Sequence, residues 1–180
     1  MILAVLLLLL LGAFVVTFMI TSEFIAFLRT RVPFVPTNQA DVEFFVKILG
    51  LDQADVFYDL GSGNGKVIFL VEKLSGARGV GFELGWWTVL YAKVKALLLG
   101  SRAKFYNRNF FKANWQEADF IYAYLYPPLM RRIKDKFLAE CRSGAIMIVR
   151  DFPLPDLKPD EVYFRPRNHE IYIYKKIVEK

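Results

Sequence analysis

Residues 58–70 read YDLGSGNGKVIFL. An apolar run ends in an acid, Asp59, and glycine then recurs at every second position: Gly61, Gly63 and Gly65. Glycine at that density marks a loop whose backbone must approach something closely or turn through left-handed conformations. A phosphate-binding P-loop needs G-x-x-x-x-G-K followed by Ser or Thr. Here Val67 follows Gly65-Lys66, and Leu60 stands where the first glycine belongs. A dinucleotide fingerprint needs a third glycine at the position of Lys66.

The pattern is therefore G-x-G-x-G with an acid two residues before it. Asp59 would repel a pyrophosphate but attract an ammonium group. A second acid, Glu83, closes the next apolar run, RGVGFE at 78–83. An acid there accepts hydrogen bonds from ribose hydroxyls. A ribose and an amino acid without phosphate describe S-adenosylmethionine. Ser62 and Leu84 adjoin these anchors and join the expected binding set.

Outward from the loop the chain alternates. Apolar strand patterns are expected at 56–60, 78–83, 104–107, 119–125 and 145–150, with helices at 66–74, 86–98 and 128–140. In the second of these helices Trp87, Leu90, Tyr91 and Val94 form one stripe. The end, 161–165 and 170–177, reads as an antiparallel pair around Pro166-Arg167-Asn168. Strands alternating with helices predict an α/β fold: a mostly parallel, Rossmann-like sheet with helices on both faces and an antiparallel hairpin at the end. Upstream, Thr37 is expected to cap a helix with Val42, Phe45, Val46 and Leu49 on one face, ended by Gly50.

The first 28 residues are of another kind. Residues 2–20 carry no charge, and Thr17 is their one polar side chain. About 20 apolar residues at ~1.5 Å each cross a hydrocarbon core of ~30 Å. Arg29 and Arg31 follow, which places the C-terminal side in the cytosol or its equivalent by the positive-inside rule. A cleaved signal peptide needs a basic n-region and a short apolar core, and neither is present. The expected organisation is a single-pass anchor at 1–28, a Pro-containing linker at 29–36 and one domain at 37–180.

The 180 residues carry 24 basic and 18 acidic side chains, net +6. Such a balance suits an anionic membrane surface. Nucleic acid is disfavoured because no basic cluster interleaves with aromatics. One cysteine, Cys141, and one histidine, His169, leave neither a disulfide framework nor a Cys/His zinc site within the chain. No metal is expected.

In these residues the chain resembles class I S-adenosylmethionine-dependent methyltransferases. More narrowly, it is similar to the membrane-anchored protein-lysine methyltransferases of the mitochondrial inner membrane that act on the ATP synthase c-subunit and the adenine nucleotide translocase. PFVPT (33–37), DLGSGNGK (59–66), GVGFEL (79–84), AKFYNRNFFK (103–112) and YPPLM (126–130) carry the resemblance. It implies that Asp59, Gly61, Gly63 and Glu83 bind the cofactor; Gly65 of the same loop joins the expected binding set. It also puts Asn109 where the family has an acid facing the adenine amino group; beside it, Phe110 or Phe111 is expected to flank the ring, and Thr37 with Pro36 to close over the cofactor from the linker. The acceptor would be a lysine of a membrane protein.

Methyl transfer from a sulfonium needs an aligned, desolvated, neutral nucleophile. In the strand 119–125 and just beyond it, Tyr122, Tyr124 and Tyr126 share one face at a two-residue period. Tyr126, Tyr124 and the following Pro127 are the expected catalytic set, because tyrosine faces attract sulfonium and ammonium cations. A lipid, quinone or other small apolar acceptor is the alternative, and a non-catalytic scaffold with the same fold is the second.

Overall fold

The computed structural model describes residues 1–30 and 36–176. Most of the linker expected at 29–36 therefore lies outside the described residues, as does Ile177. An N-terminal helix, α1, runs Ile2–Thr30, past the boundary expected at residue 28. Its stretch Ile2–Thr21 is long and apolar enough to cross a membrane, and none of it is buried against the rest of the chain.

The domain begins with α2 (Gln39–Leu49). Its N-cap is Asn38, whose side-chain oxygen accepts from the Ala40 amide at 3.1 Å, and not Thr37 as the sequence led us to expect. Asn is the better cap because its carbonyl reaches back over the first turn. Gly50 ends the helix in the left-handed region. There follow β1 (Val56–Leu60), α3 (Lys66–Ser75), β2 (Arg78–Glu83), α4 (Trp86–Leu99), β3 (Lys104–Asn107), β4 (Phe120–Ala123), α5 (Pro127–Glu140), β5 (Ile146–Arg150), β6 (Glu161–Arg165) and β7 (His169–Lys175).

One seven-stranded sheet has the order β3-β2-β1-β4-β5-β7-β6. The first five strands in that order are parallel, and β7 runs antiparallel to both β5 and β6. Apolar layers cover both faces. On one, Val42 and Phe45 of α2, Ile68 of α3 and Ala92 of α4 pack with Phe57, Tyr122 and Ile148. On the other, Met130, Ile133 and Phe137 of α5 pack with Trp115 on Tyr58, Ile121 and Met147.

One further expectation needs correction. β4 ends at Ala123, so Tyr124 and Tyr126 lie beyond the strand; Tyr126 is instead the extended residue before α5. The Trp87 stripe of α4 does not face the sheet. The buried face of α4 is made of Val89, Ala92 and Ala96, while Leu90, Tyr91 and Val94 are exposed. The space over β2 is already taken by Ile68 of α3, which a Cβ on Gly79 or Gly81 would meet at 2.2 or 2.8 Å. Beside that filled layer α4 packs closely through small side chains.

Candidate active site

Parallel α/β sheets bind ligands beyond the C-terminal strand ends, where the strand order reverses. Here the order reverses between β1 and β4, and the glycine loop leaves β1 at that point. Gly61, Gly63 and Gly65 all have positive φ, at 83°, 51° and 77°. The amides of Gly61 and Ser62 both donate to the Phe82 carbonyl, at 2.9 and 3.0 Å, which fastens the loop to β2. A Cβ on Gly65 would stand 2.6 Å from the Phe105 ring, so the third glycine is demanded by packing as well as by φ.

Glu83 braces the loop from the next strand. Its Oε2 accepts from the Gly63 amide at 3.1 Å, and its Oε1 accepts from Leu84 and Gly85 at 2.6 and 3.0 Å. A carboxylate has about four acceptor positions. Three are filled by backbone, and among the described residues the position left over is on Oε2. Asn107 donates to the carbonyls of Glu83 and Leu84, at 3.1 and 2.8 Å, and holds this corner from β3.

Asp59 is 3% exposed, and among the described residues no cation pairs with it. Burial, then the nearby Glu83 charge, pushes its carboxyl up to about 8. Opposite it in the sheet register stands Tyr122. The Tyr122 hydroxyl shares a hydrogen bond of 2.8 Å with Thr37 Oγ1, and burial raises its ionisation further out of reach. The Thr37 carbonyl accepts from Lys66 Nζ at 3.1 Å, so the start of the domain is tied across the glycine loop. Ser62 Oγ is buried and unpartnered among the described residues.

The remaining expected residues fall in two groups. Asn109 Oδ1 accepts from the Phe111 amide at 2.9 Å, capping a short 3-10 turn that carries Phe110. Phe110 packs on Trp115, whose indole nitrogen donates to the Phe110 carbonyl at 3.1 Å. Tyr126 is 48% exposed, and its side chain makes no capping bond; Pro127 follows it as the first residue of α5. Tyr124 lies under the Arg150 guanidinium, 4.7 Å from ring centre to carbon, with its ionisation raised by burial and by Asp151.

Tyr124 thereby belongs to a polar cluster that sequence reasoning missed. Arg150 at the end of β5 is 2% exposed and pairs with Asp41 of α2, itself 2% exposed, at 3.1 Å. Arg150 Nε and Nη1 have no hydrogen-bond partner among the described residues. Arg165 Nε bonds the other Asp41 oxygen at 3.1 Å. Asp151, at φ 63°, accepts from the Glu170 amide at 3.0 Å and meets His169 Nδ1 at 2.9 Å. The His169 side chain is therefore held in the cluster and not free on the surface. Asp41 reads in sequence as an ordinary first-turn acid, and nothing in the spacing joins it to Arg150.

The sheet order, the G-x-G-x-G loop after β1 and the acid ending β2 define a class I S-adenosylmethionine-dependent methyltransferase. The donor set fits that cofactor: among the described residues, a buried carboxylate that no cation pairs with, an acid with an acceptor position left over, a buried unpartnered hydroxyl and a loop held in left-handed turns at the end of β1. Comparison with known proteins agrees. Residues 59–161 match the ANTKMT methyltransferase domain. The chain is 33% identical over 153 residues to the rat (Rattus norvegicus) lysine N-methyltransferase of the ATP synthase c-subunit, covering 83% of this chain and 70% of that protein. It is 28% identical to the mouse (Mus musculus) adenine nucleotide translocase lysine N-methyltransferase, covering 73% and 58%. Among solved structures, an RNA methyltransferase from Salinibacter ruber in complex with S-adenosyl-L-homocysteine superposes with a TM-score of 0.76 at 27% identity, covering 81% of this chain and 96% of that one. The chain belongs to the ANTKMT methyltransferase domain family.

Proposed function

We propose that this chain methylates a lysine side chain of a membrane-associated protein, with α1 as its anchor and the domain on the cytosolic or matrix-equivalent side. The observation that carries the reading is the match, over 83% of the chain, to a lysine N-methyltransferase named for a component of ATP synthase. When bound, S-adenosylmethionine supplies the electrophilic methyl group.

The chain's own residues do the rest. Asp59, as a carboxylate, would hold the ligand's ammonium. Glu83 would accept a ribose hydroxyl on Oε2. Gly61, Ser62, Gly63 and Gly65 form the cradle, with Thr37 over it. Leu84, Asn109 and Phe110 line the adenine side. On the acceptor side Tyr126 and Pro127 form the rim, and Tyr124 is held by Arg150 behind it. A lysine must arrive neutral, and an apolar aromatic rim beside a sulfonium lowers its pKa. No histidine base is required.

The Salinibacter relative favours a second reading, a nucleic-acid acceptor. Against it, Tyr126-Pro127-Pro128 lacks the Asn or Asp that opens the Asn/Asp-Pro-Pro-Tyr loop of amino-group methyltransferases.

The test uses tritiated S-adenosylmethionine, the full chain and membranes from its source, with Asp59→Ala alongside. Label in a discrete protein band, lost in the control, supports the lysine reading. Label in the organic extract moves the enzyme to lipid or quinone chemistry, and label in RNA to the second reading. Absence of cofactor binding would sink all three.

A further inference from the structure

We infer that the outer face of α4 is a second membrane contact, lying in the headgroup boundary of the bilayer that receives α1. Large exposed apolar patches on a soluble face are uncommon and mark interaction sites. On α4 the usual arrangement is inverted. Its small residues face the sheet, and its large ones face out: Trp86 is 49% exposed, Tyr91 58%, Val94 49%, Leu97 82% and Leu98 80%. At ~100° per residue these fan over an arc of about 140° opposite the buried face. Lys93 and Lys95 fall just outside the two edges of that arc, and α4 contains no acid. An apolar arc with Lys93 at one edge, and Lys95 beyond the other with its ammonium 4.9 Å over the Phe69 ring, fits a helix in the plane of a membrane, where the Lys93 stem lets its ammonium reach headgroups.

The occupant follows from continuity with α1. Phe18, near the end of the apolar stretch Ile2–Thr21, meets the Trp87 ring edge-on at 6.3 Å. Whatever apolar phase surrounds α1 at Phe18 therefore begins at the first turn of α4. Indole rings favour that depth. A second copy of the chain fits less well, because the lysine rims meet no acid on a facing α4. The consequence for catalysis is orientation. Trp86 stands three residues after Glu83, so a bilayer against α4 brings the cofactor edge of the sheet close to a membrane-embedded acceptor.

This inference rests on reading α1 as a membrane helix, and the experiment separates the two. Nitroxide labels are placed singly at Leu98→Cys, Leu8→Cys and Phe164→Cys in the full chain, reconstituted in anionic vesicles. Cys141 is 6% exposed and stays unlabelled. Oxygen collision at Leu98 exceeding that of a nickel chelate, with the order reversed at Phe164, is the expected result. Lipid contact at Leu8 with water contact at Leu98 overturns the α4 inference and leaves the anchor standing. Water contact at both positions overturns both. Dipolar broadening at Leu98 that persists on dilution with lipid identifies a second copy as the occupant and also overturns the inference.

Discussion

Around β1 and β2 the site is made mostly of backbone; around β4 and β5 it is made mostly of side chains. In the first region three glycine turns, two amides on one carbonyl and three amides on Glu83 set the shape. In the second, Thr37 meets Tyr122, Asp41 meets Arg150, and Tyr124 lies between Arg150 and Asp151. Asp41 and Arg165, whose side chains bond each other, are 124 residues apart in the chain. Backbone sites are specified locally. Side-chain sites depend on the whole fold bringing distant residues into register.

The contrast predicts where the protein breaks most easily. Asp41→Ala removes the nearer counter-ion of buried Arg150 and leaves it Asp151 Oδ2 at 3.9 Å, at a cost of roughly 3 kcal/mol. For a chain of this size that lowers Tm by about 10 °C or more. Thermal unfolding of the full chain in detergent checks it. The double replacement Asp41→Leu with Arg150→Met recovers most of the loss if uncompensated charge is the cause. A single-variant loss under ~1 kcal/mol would mean the second region is less dependent on side chains than its geometry implies.

In the backbone region, Gly65→Ala costs about 2–3 kcal/mol. The residue holds φ 77°, and the new methyl would sit 2.6 Å from Phe105. Because Gly65 ends the loop, cofactor affinity falls at least tenfold in the same variant, measured by calorimetry. Stability lost with affinity intact would show that Gly65 serves packing alone.

These two sites also mark what the sequence discloses. The glycine loop, Asp59 and Glu83 were legible because their spacing is contiguous or follows one strand-helix-strand unit. So were the sheet and its closing hairpin. The Asp41–Arg150 pair was hidden because neither residue type is unusual where it stands. The orientation of α4 was not legible for a related reason: periodicity identifies an apolar stripe, but not which way it faces. Val89, Ala92 and Ala96 were the overlooked clue, since small residues at helical spacing let a helix sit close against a filled layer.

A pH series sharpens the comparison at Asp59. An acid whose folded pKa lies above its ordinary 3.8 holds its proton more tightly when folded. Cofactor-free stability from this group therefore falls as pH rises from 3.8 toward about 8, and levels off above. Binding a cationic ligand requires the ionised form. Affinity for S-adenosylmethionine then rises with pH, by up to about tenfold per unit, until about 8. Asp59→Asn binds weakly and without that slope. A flat profile in the parent protein would mean that Asp59 is already ionised or does not face the ammonium.

The smallest effect is expected at the rim. Tyr126 is half-exposed and its side chain caps nothing, so Tyr126→Phe leaves Tm and cofactor affinity unchanged. It retains the aromatic face and removes only the hydroxyl. If the ring's attraction for cations is what matters, kcat falls less than about threefold, while Tyr126→Ala loses about tenfold or more. If the hydroxyl orients the amine, Tyr126→Phe already costs the full amount. The ordering of the two variants thus separates a residue that works by its face from one that works by its hydrogen bond. Equal, negligible losses in both would move the acceptor site inward, toward Tyr124 and the Arg150–Asp151 cluster, where side chains are locked by their partners instead of open to solvent.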